Sequence, residues 1–275
     1  MSYETLVIER DGRVATLTMN RPDSMNAFDS RMRAELPQAW EELAEDESVW
    51  VIVLTGAGDR AFSAGMDLRE KLDPGSLKKE GRTQITSIDC AVGKPVVAAV
   101  NGVCAGGGLA FVADSDIVIC SDNAYFTDAR TGAGQVSIHG TLRLARKIPL
   151  EAVLRMVMLG RAEKVGAEPA RAIGLVSEIT TADGLLTRAK EIAAAIAENS
   201  PGAVFTTRHA IWESLNYGLN GALEMGWQAV TDFAHSSGDA AEGARAFVEK
   251  RKPKWEYAPP PGRGKGLKTR GFHSI

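Results

Sequence analysis

Two glycine-rich segments carry the first chemical signal in this chain. One is Asn101-Gly102-Val103-Cys104-Ala105-Gly106-Gly107-Gly108, which follows the apolar run Val96–Val100 and leads into the apolar Leu109–Ala113. The other is Gly56-Ala57-Gly58-Asp59-Arg60-Ala61-Phe62-Ser63-Ala64-Gly65-Met66-Asp67-Leu68, which follows Val49–Thr55. Glycine lacks a Cβ, so backbone N–H groups there can approach a ligand closely. A helix start adds unpaired N–H groups and a positive dipole end. Such donors suit an oxygen that gains negative charge during a reaction. In open α/β sheets ligands bind beyond the carboxyl ends of strands, so one N–H from each turn is placed to converge on a single carbonyl oxygen.

The titratable candidates are fewer. His139 lies in the loop Val136-Ser137-Ile138-His139-Gly140-Thr141. A histidine titrates near neutrality and can act as a base, although no partner for it is visible in sequence. Asp128 and Arg130 are two residues apart, which in a strand places both on one face. That spacing is compatible with a simple ion pair. It is also compatible with Arg130 binding a carboxylate or another anion while Asp128 acts as base. Asp114 and Asp116 flank a strand entry, and His209 and His235 fall on C-terminal helices; these read as structural. No His or Cys spacing suits a metal. The glycine run lacks the G-x-G-x-x-G dinucleotide pattern, and neither Ser63 nor Ser137 sits in a nucleophile elbow.

The elements that must position these groups are regular. The 275 residues suit one large domain or a domain with an appended helical part. A net charge of −3 gives no bias toward nucleic acid. No segment is long and apolar enough to span a bilayer, and the first residues have no apolar signal core, so the expected location is cytoplasmic with no membrane partner. Cys90, Cys104 and Cys120 sit in apolar surroundings and read as buried thiols. Thr5–Arg10 and Val14–Met19 flank Asp11-Gly12, a hairpin signal. Asp29 is placed to cap a helix running to about Glu45. Strands are expected over 95–100 and 117–120, with a short helix over 109–113 between them. Residues 70–88, broken by Asp73-Pro74-Gly75, read as a mobile segment beside the site. From residue 140 onward helices are expected over 150–159, 163–172, 183–198, 201–217, 220–236 and 239–250, with a short strand-like interruption in Ile173–Ile179. Residues 253–275 form a basic, breaker-rich tail and read as irregular.

In combination the motifs resemble the crotonase superfamily, the enoyl-CoA hydratase/isomerase type. The resemblance rests on Ser63–Leu68, on Asn101-Gly102 leading into Gly106–Gly108, on Asn20-Arg21-Pro22 followed by Met25-Asn26-Ala27, and on Ala246–Lys252. It implies an α/β fold, a spiral of β-β-α units over residues 1–200 with a helical trimerisation region over 201–252. The expected assembly is a homotrimer or a dimer of trimers. It implies an acyl-CoA thioester as ligand, with no cofactor beyond the CoA moiety and no metal. The thioester oxygen would lie between the N–H groups of Met66 and Gly107. CoA would be met by Met25, Ala64 and Arg69, and by Phe247 and Lys250 reaching a neighbouring subunit's ligand.

One departure from the family pattern limits the reaction. The two glutamates of classical hydratases are matched here by Ala110 and Arg130. Alanine has no proton to give, and an arginine stays protonated. Addition of water to a double bond needs two positioned acid–base groups. The resemblance therefore implies thioester enolate or tetrahedral-adduct chemistry, namely isomerisation, C–C hydrolysis or carbon–carbon bond reorganisation by an isomerase, lyase or hydrolase, with efficient hydration unexpected and His139, Asp128 or Arg130 assisting. The alternatives are a noncatalytic acyl-CoA-binding subunit and a hydratase with a relocated acid or base.

Overall fold

The computed structural model describes residues 2–72, 84–258 and 260. In chain order the strands and helices begin with β1 (Leu6–Asp11), β2 (Val14–Met19), α1 (Ser30–Glu45), β3 (Val51–Gly56) and β4 (Ala61–Ser63). They continue with β5 (Val96–Val100), β6 (Val103–Ala105), α2 (Gly108–Ala113), β7 (Ile117–Ser121), β8 (Tyr125–Thr127), α3 (Thr141–Leu144) and α4 (Leu150–Leu159). The C-terminal part holds β9 (Val165–Gly166), α5 (Ala167–Ala172), β10 (Glu178–Thr180), α6 (Leu185–Ala197), α7 (Pro201–Ser214), α8 (Leu219–Ser236) and α9 (Asp239–Glu249).

The strands form two sheets, one ordered β1-β2-β3-β5-β7-β10 and the other β4-β6-β8-β9. Three times a strand of the first sheet is followed by a short strand of the second: β3 by β4, β5 by β6, and β7 by β8. All pairings within the second sheet are parallel except β8 with β9. This repetition is the expected spiral of β-β-α units, and it carries the chain out of the first sheet at one end each time.

The central strands β3, β5 and β7 of the first sheet are buried on both faces, as their Val/Ile/Leu/Ala-rich runs anticipate. Their side chains alternate between two cores. Ile52, Leu54, Val96, Ala98 and Val118 pack with α1 through Leu36, Trp40 and Leu43. Val51, Val53, Val97, Ala99 and Ile119 pack on the other side with Leu185, Ala189 and Ala193 of α6 and with Phe205. The N-cap of α1 is Asp29, whose side chain accepts the Met32 N–H at 2.9 Å.

Three sequence expectations are corrected. The helix placed over 163–172 begins only at Ala167, because Val165 and Gly166 pair with Phe126 and Tyr125 as strand β9. Asp128 and Arg130 do not share a strand face, since β8 ends at Thr127 and the chain turns into a short 3-10 helix at Thr131. Of the segment 70–88, residues 73–83 lie outside the described residues, but Ile85, Thr86 and Ser87 are buried and Ile85 O accepts the Trp40 Nε1 hydrogen at 2.8 Å. That part belongs to the core. Of the tail expectation, residues 259 and 261–275 lie outside the described residues.

A buried lysine ties α1 to the sheet. Lys94 is fully buried, and its Nζ donates to Leu43 O at 2.9 Å and to Asp46 O at 2.6 Å, at the C-terminal end of α1 where carbonyls lack helical partners. Replacing the ammonium with a methyl group strands at least one carbonyl away from water. We expect Lys94→Met to lower the unfolding free energy by about 1–3 kcal/mol in urea denaturation followed by circular dichroism. An unchanged midpoint would show that the carbonyls find other donors.

Candidate active site

The two glycine-rich turns are in backbone contact. Gly65 has φ +85°, and a Cβ there would stand 2.7 Å from both Gly107 N and Ala105 O. A Cβ on Gly108 would stand 2.6 Å from Ser63 O, and one on Gly107 would collide with the Phe28 ring. Glycine is required at 65 for conformation and for clearance together.

Local hydrogen bonds hold the first turn in place. Buried Asn26 donates from Nδ2 to Ala57 O at 2.9 Å and Ala61 O at 2.7 Å, and its Oδ1 accepts Arg21 N–H at 2.9 Å. Ser63 Oγ donates to Asn26 O at 2.9 Å and accepts Gly65 N–H at 3.1 Å. Ala64 N–H donates to Met25 O, Phe28 N–H to Gly65 O, and Asp67 N–H to Phe28 O. In the second turn, Gly106 N–H donates to Thr127 O at 3.0 Å. The amides on either side of Met66 and before Gly107 are thus paired. Met66 N–H and Gly107 N–H have no hydrogen-bond partner among the described residues. Both residues line a cavity of about 940 Å³, which Phe28, Ala64, Ile85, Arg130, His139 and Leu142 also border. Two unpartnered amides at one cavity wall are donors of the kind that can bond a carbonyl oxygen.

Ala110 is fully buried on α2, and its side chain faces Gly140: a Cβ on Gly140 would lie 2.7 Å from Ala110 Cα and 3.0 Å from its Cβ. Gly140 has φ +83°. The loop 136–140 therefore settles directly onto α2 at Ala110, and the residue before Gly140 is His139. A longer side chain at 110 would push this loop away.

His139 has the partner that sequence did not reveal. Its Nε2 lies 2.9 Å from Asp89 Oδ2, and Arg143 Nη2 donates to Asp89 Oδ1 at 2.9 Å. Arg143 also pairs with Asp114, which accepts the Thr86 hydroxyl hydrogen. Burial alone would raise the Asp89 carboxyl, but the His139 hydrogen bond and the Arg143 charge overcome it and hold it well below the usual carboxylate range. Asp114 differs: burial dominates and pushes it up to about 6 against the Arg143 charge and the Thr86 hydrogen bond. An ionised Asp89 can only accept, so Nε2 of His139 carries the hydrogen and the neutral ring keeps its lone pair on Nδ1. Nδ1 has no partner among the described residues. Asp89, Thr86 and Arg143 escaped sequence reasoning. Arg143 alone left a trace, since it lies four residues after His139 at the start of a helix.

Asp128 and Arg130 form the ion pair that was one of the two readings. Arg130 donates from Nε to Oδ1 at 2.8 Å and from Nη2 to Oδ2 at 2.6 Å. Ser137 Oγ donates to Asp128 Oδ2 at 2.6 Å, and Arg130 Nη1 to His139 O at 2.9 Å. Asp128 is fully buried; burial opposes its ionisation, but Arg130 and Ser137 hold it below the usual carboxylate range. The pair anchors the backbone of the histidine loop. Asp116 accepts from Arg208 Nε, Trp212 Nε1 and the Val96 N–H, a structural set.

The candidate CoA residues are spread wider. Ala64 borders the cavity. Met25 has φ +54° and accepts the Ala64 N–H through its carbonyl. Arg69 is exposed and pairs with Asp67, whose carboxyl is held at about 2 chiefly by the Arg69 hydrogen bonds. Phe247 is 86% exposed near the end of α9, and Lys250 closes that helix with φ +50°; neither borders the cavity of its own chain.

Comparisons with known proteins agree with this architecture. Residues 9–258 match the enoyl-CoA hydratase/isomerase family. A short-chain-enoyl-CoA hydratase of Clostridium acetobutylicum is 32% identical over 258 residues, covering 92% of this chain and 97% of that protein. A carnitinyl-CoA dehydratase of Escherichia coli K12 is 33% identical over 271 residues, covering 92% and 98%. The crystal structure of an enoyl-CoA hydratase/isomerase from Mycobacterium paratuberculosis superposes with a TM-score of 0.85 at 40% identity, covering 94% of this chain and all of that one, 100%. The spiral fold, the two contacting glycine turns and these full-length matches lead to one conclusion: this chain belongs to the enoyl-CoA hydratase/isomerase family of acyl-CoA-processing enzymes.

Proposed function

We propose that this protein binds an acyl-CoA with its thioester oxygen between the Met66 and Gly107 amides and moves a proton on the acyl chain through His139. The observation that carries this reading is that two unpartnered amides and one unpartnered imidazole nitrogen border a single cavity. The amides stabilise the charge that builds on the oxygen when the α-carbon region loses a proton, and each such donor is worth about 3–4 kcal/mol in comparable sites. His139 Nδ1 takes the proton, the electron pair delocalises onto the thioester oxygen as an enolate, and the imidazolium returns the proton to the other end of the allylic system. Nothing else is consumed, so the net change is migration of a carbon–carbon double bond. One base suffices for this. Hydration needs a second positioned group, and no carboxylate borders the cavity among the described residues. Ala110 and Arg130, which the resemblance places where classical hydratases carry glutamates, support the same reading.

In this proposal Asp89 orients His139, and Asp128 with Arg130 fixes the loop that carries it. The CoA lies along Met25, Ala64 and Arg69. Phe247 and Lys250 reach the CoA of a neighbouring subunit in a homotrimer or dimer of trimers. The exposed Trp227 and Val230 of α8 give that assembly an apolar surface to cover.

Four experiments test the reading. Gly65→Ala should place a methyl group against Gly107 N and cut turnover of a 3-enoyl-CoA by about 100-fold or more, while circular dichroism confirms folding. Unimpaired turnover would remove the amide pair from the mechanism. His139→Ala should lower kcat for the same substrate by about 100-fold or more and leave the dissociation constant of a saturated acyl-CoA within about threefold. Asp89→Asn should lower kcat less and displace its pH profile. Hydration of crotonyl-CoA at a rate matching double-bond migration would show that the missing glutamates do not constrain the chemistry.

A further inference from the structure

The cavity carries a sign. Arg130, His139, Arg143 and Arg161 border it, and no Asp or Glu does among the described residues. Three of these four are already matched. Arg130 is paired with Asp128, Arg143 with Asp89 and Asp114, and His139 with Asp89. The Arg161 side chain has no hydrogen bond or ion pair among the described residues. The nearest acid along the chain, Glu163, is held by Arg155 at 3.1 and 3.2 Å.

The backbone that carries Arg161 is fixed. Gly160 has φ +58°, and Thr127 Oγ1 donates to Gly160 O at 3.3 Å and to Glu163 O at 2.8 Å. A Cβ on Gly160 would sit 3.4 Å from Thr131 Oγ1 and 3.7 Å from Asp128 O. Arg161 therefore projects from a tethered stretch beside the loop that holds Arg130.

Topology sets its distance from the amides. The second sheet runs β4-β6-β8-β9, with β9 antiparallel to β8. Met66 follows β4, Gly107 follows β6 and Arg130 follows β8, while Arg161 precedes the antiparallel β9, so all four stand at the same end of the sheet. Adjacent strands are about 4.8 Å apart, which puts β9 about 10 Å from β6, on the side away from β4. Ala64 and Arg69, the proposed CoA residues, lie on the β4 side. An acyl chain whose carbonyl rests on the amides can extend toward Arg161 while its CoA leaves the other way. Gln135 also borders the cavity with its side-chain amide unpartnered among the described residues.

We infer that Arg161 binds a carboxylate at the far end of the acyl chain, and that the substrate is the CoA thioester of a short dicarboxylic acid. The guanidinium fork matches a carboxylate in two parallel hydrogen bonds, a geometry that a monocarboxylic acyl chain cannot use. This inference rests on the proposed thioester site.

The test is calorimetric binding of matched saturated thioesters: succinyl-CoA against butyryl-CoA, glutaryl-CoA against valeryl-CoA, and adipyl-CoA against hexanoyl-CoA. The wild-type protein should bind at least one dicarboxylic member about tenfold tighter than its partner. Arg161→Met should abolish that preference and leave the monocarboxylic affinities within about twofold, and Arg161→Lys should retain part of it. Equal affinities within every wild-type pair would overturn the inference and leave the thioester site standing. So would an equal loss on both series in Arg161→Met, because the arginine would then serve the CoA phosphates. Failure of every acyl-CoA to bind would overturn the thioester reading itself, and this inference with it.

Discussion

The contact between Gly65 and Gly107 is the constraint on which the rest of the site depends. Two turns from successive layers of the spiral meet backbone to backbone, at a separation that no side chain at 65 would permit. The contact is possible because each layer leaves the first sheet at the same end and enters the second as a parallel neighbour. Among the described residues it leaves the amides of Met66 and Gly107 without partners, while Asn26 and Ser63 bond the groups around them. Backbone donors fixed by such a contact need no rearrangement before they meet an acceptor, which is what preorganisation means in energetic terms.

A second constraint places the histidine. Ala110 and Gly140 are both small, and their contact lets the loop 136–140 lie against α2. Two ion-paired clusters then lock the loop from either side. Arg130, itself held by Asp128, donates to the His139 carbonyl, and Asp89, held by Arg143, engages the His139 ring. Buried ion pairs seldom add net stability, because desolvation offsets their attraction. Their value here is geometric: a backbone bond and a ring bond together fix both the position and the tautomer of one imidazole.

Much of this was legible in the sequence, and the limit has a physical cause. The glycine turns, the hairpin and the Asp29 cap depend on residues close in the chain, so local conformational rules suffice to find them. The pairing of Asp128 with Arg130 was also within reach, although the shared strand face was not, because β8 stops at Thr127. Asp89 could not be found this way. It lies 50 residues from His139 along the chain and meets it only through tertiary packing. Burial of Ile85 and Thr86 likewise contradicts the polar, breaker-rich look of their neighbourhood, since Trp40 reaches across from α1 to bond the Ile85 carbonyl.

The two constraints differ in how freely they can change. The amide pair is made of backbone, is set by the strand layers, and tolerates no side chain at Gly65. The groups that border the same cavity come from side chains on loops, at His139 after β8 and Arg161 before β9, outside the strands. Replacing either side chain leaves the hydrogen bonds of the two sheets in place, because neither residue belongs to a strand. The backbone of the glycine turns can therefore stay the same while the side chains on these two loops vary. One fold can serve different reactions in this way, and relatives of this chain are named as a hydratase and as a dehydratase. The same division of backbone from side chains explains why the fold of this chain follows from its motifs, whereas its reaction must be argued from the few side chains that line the cavity.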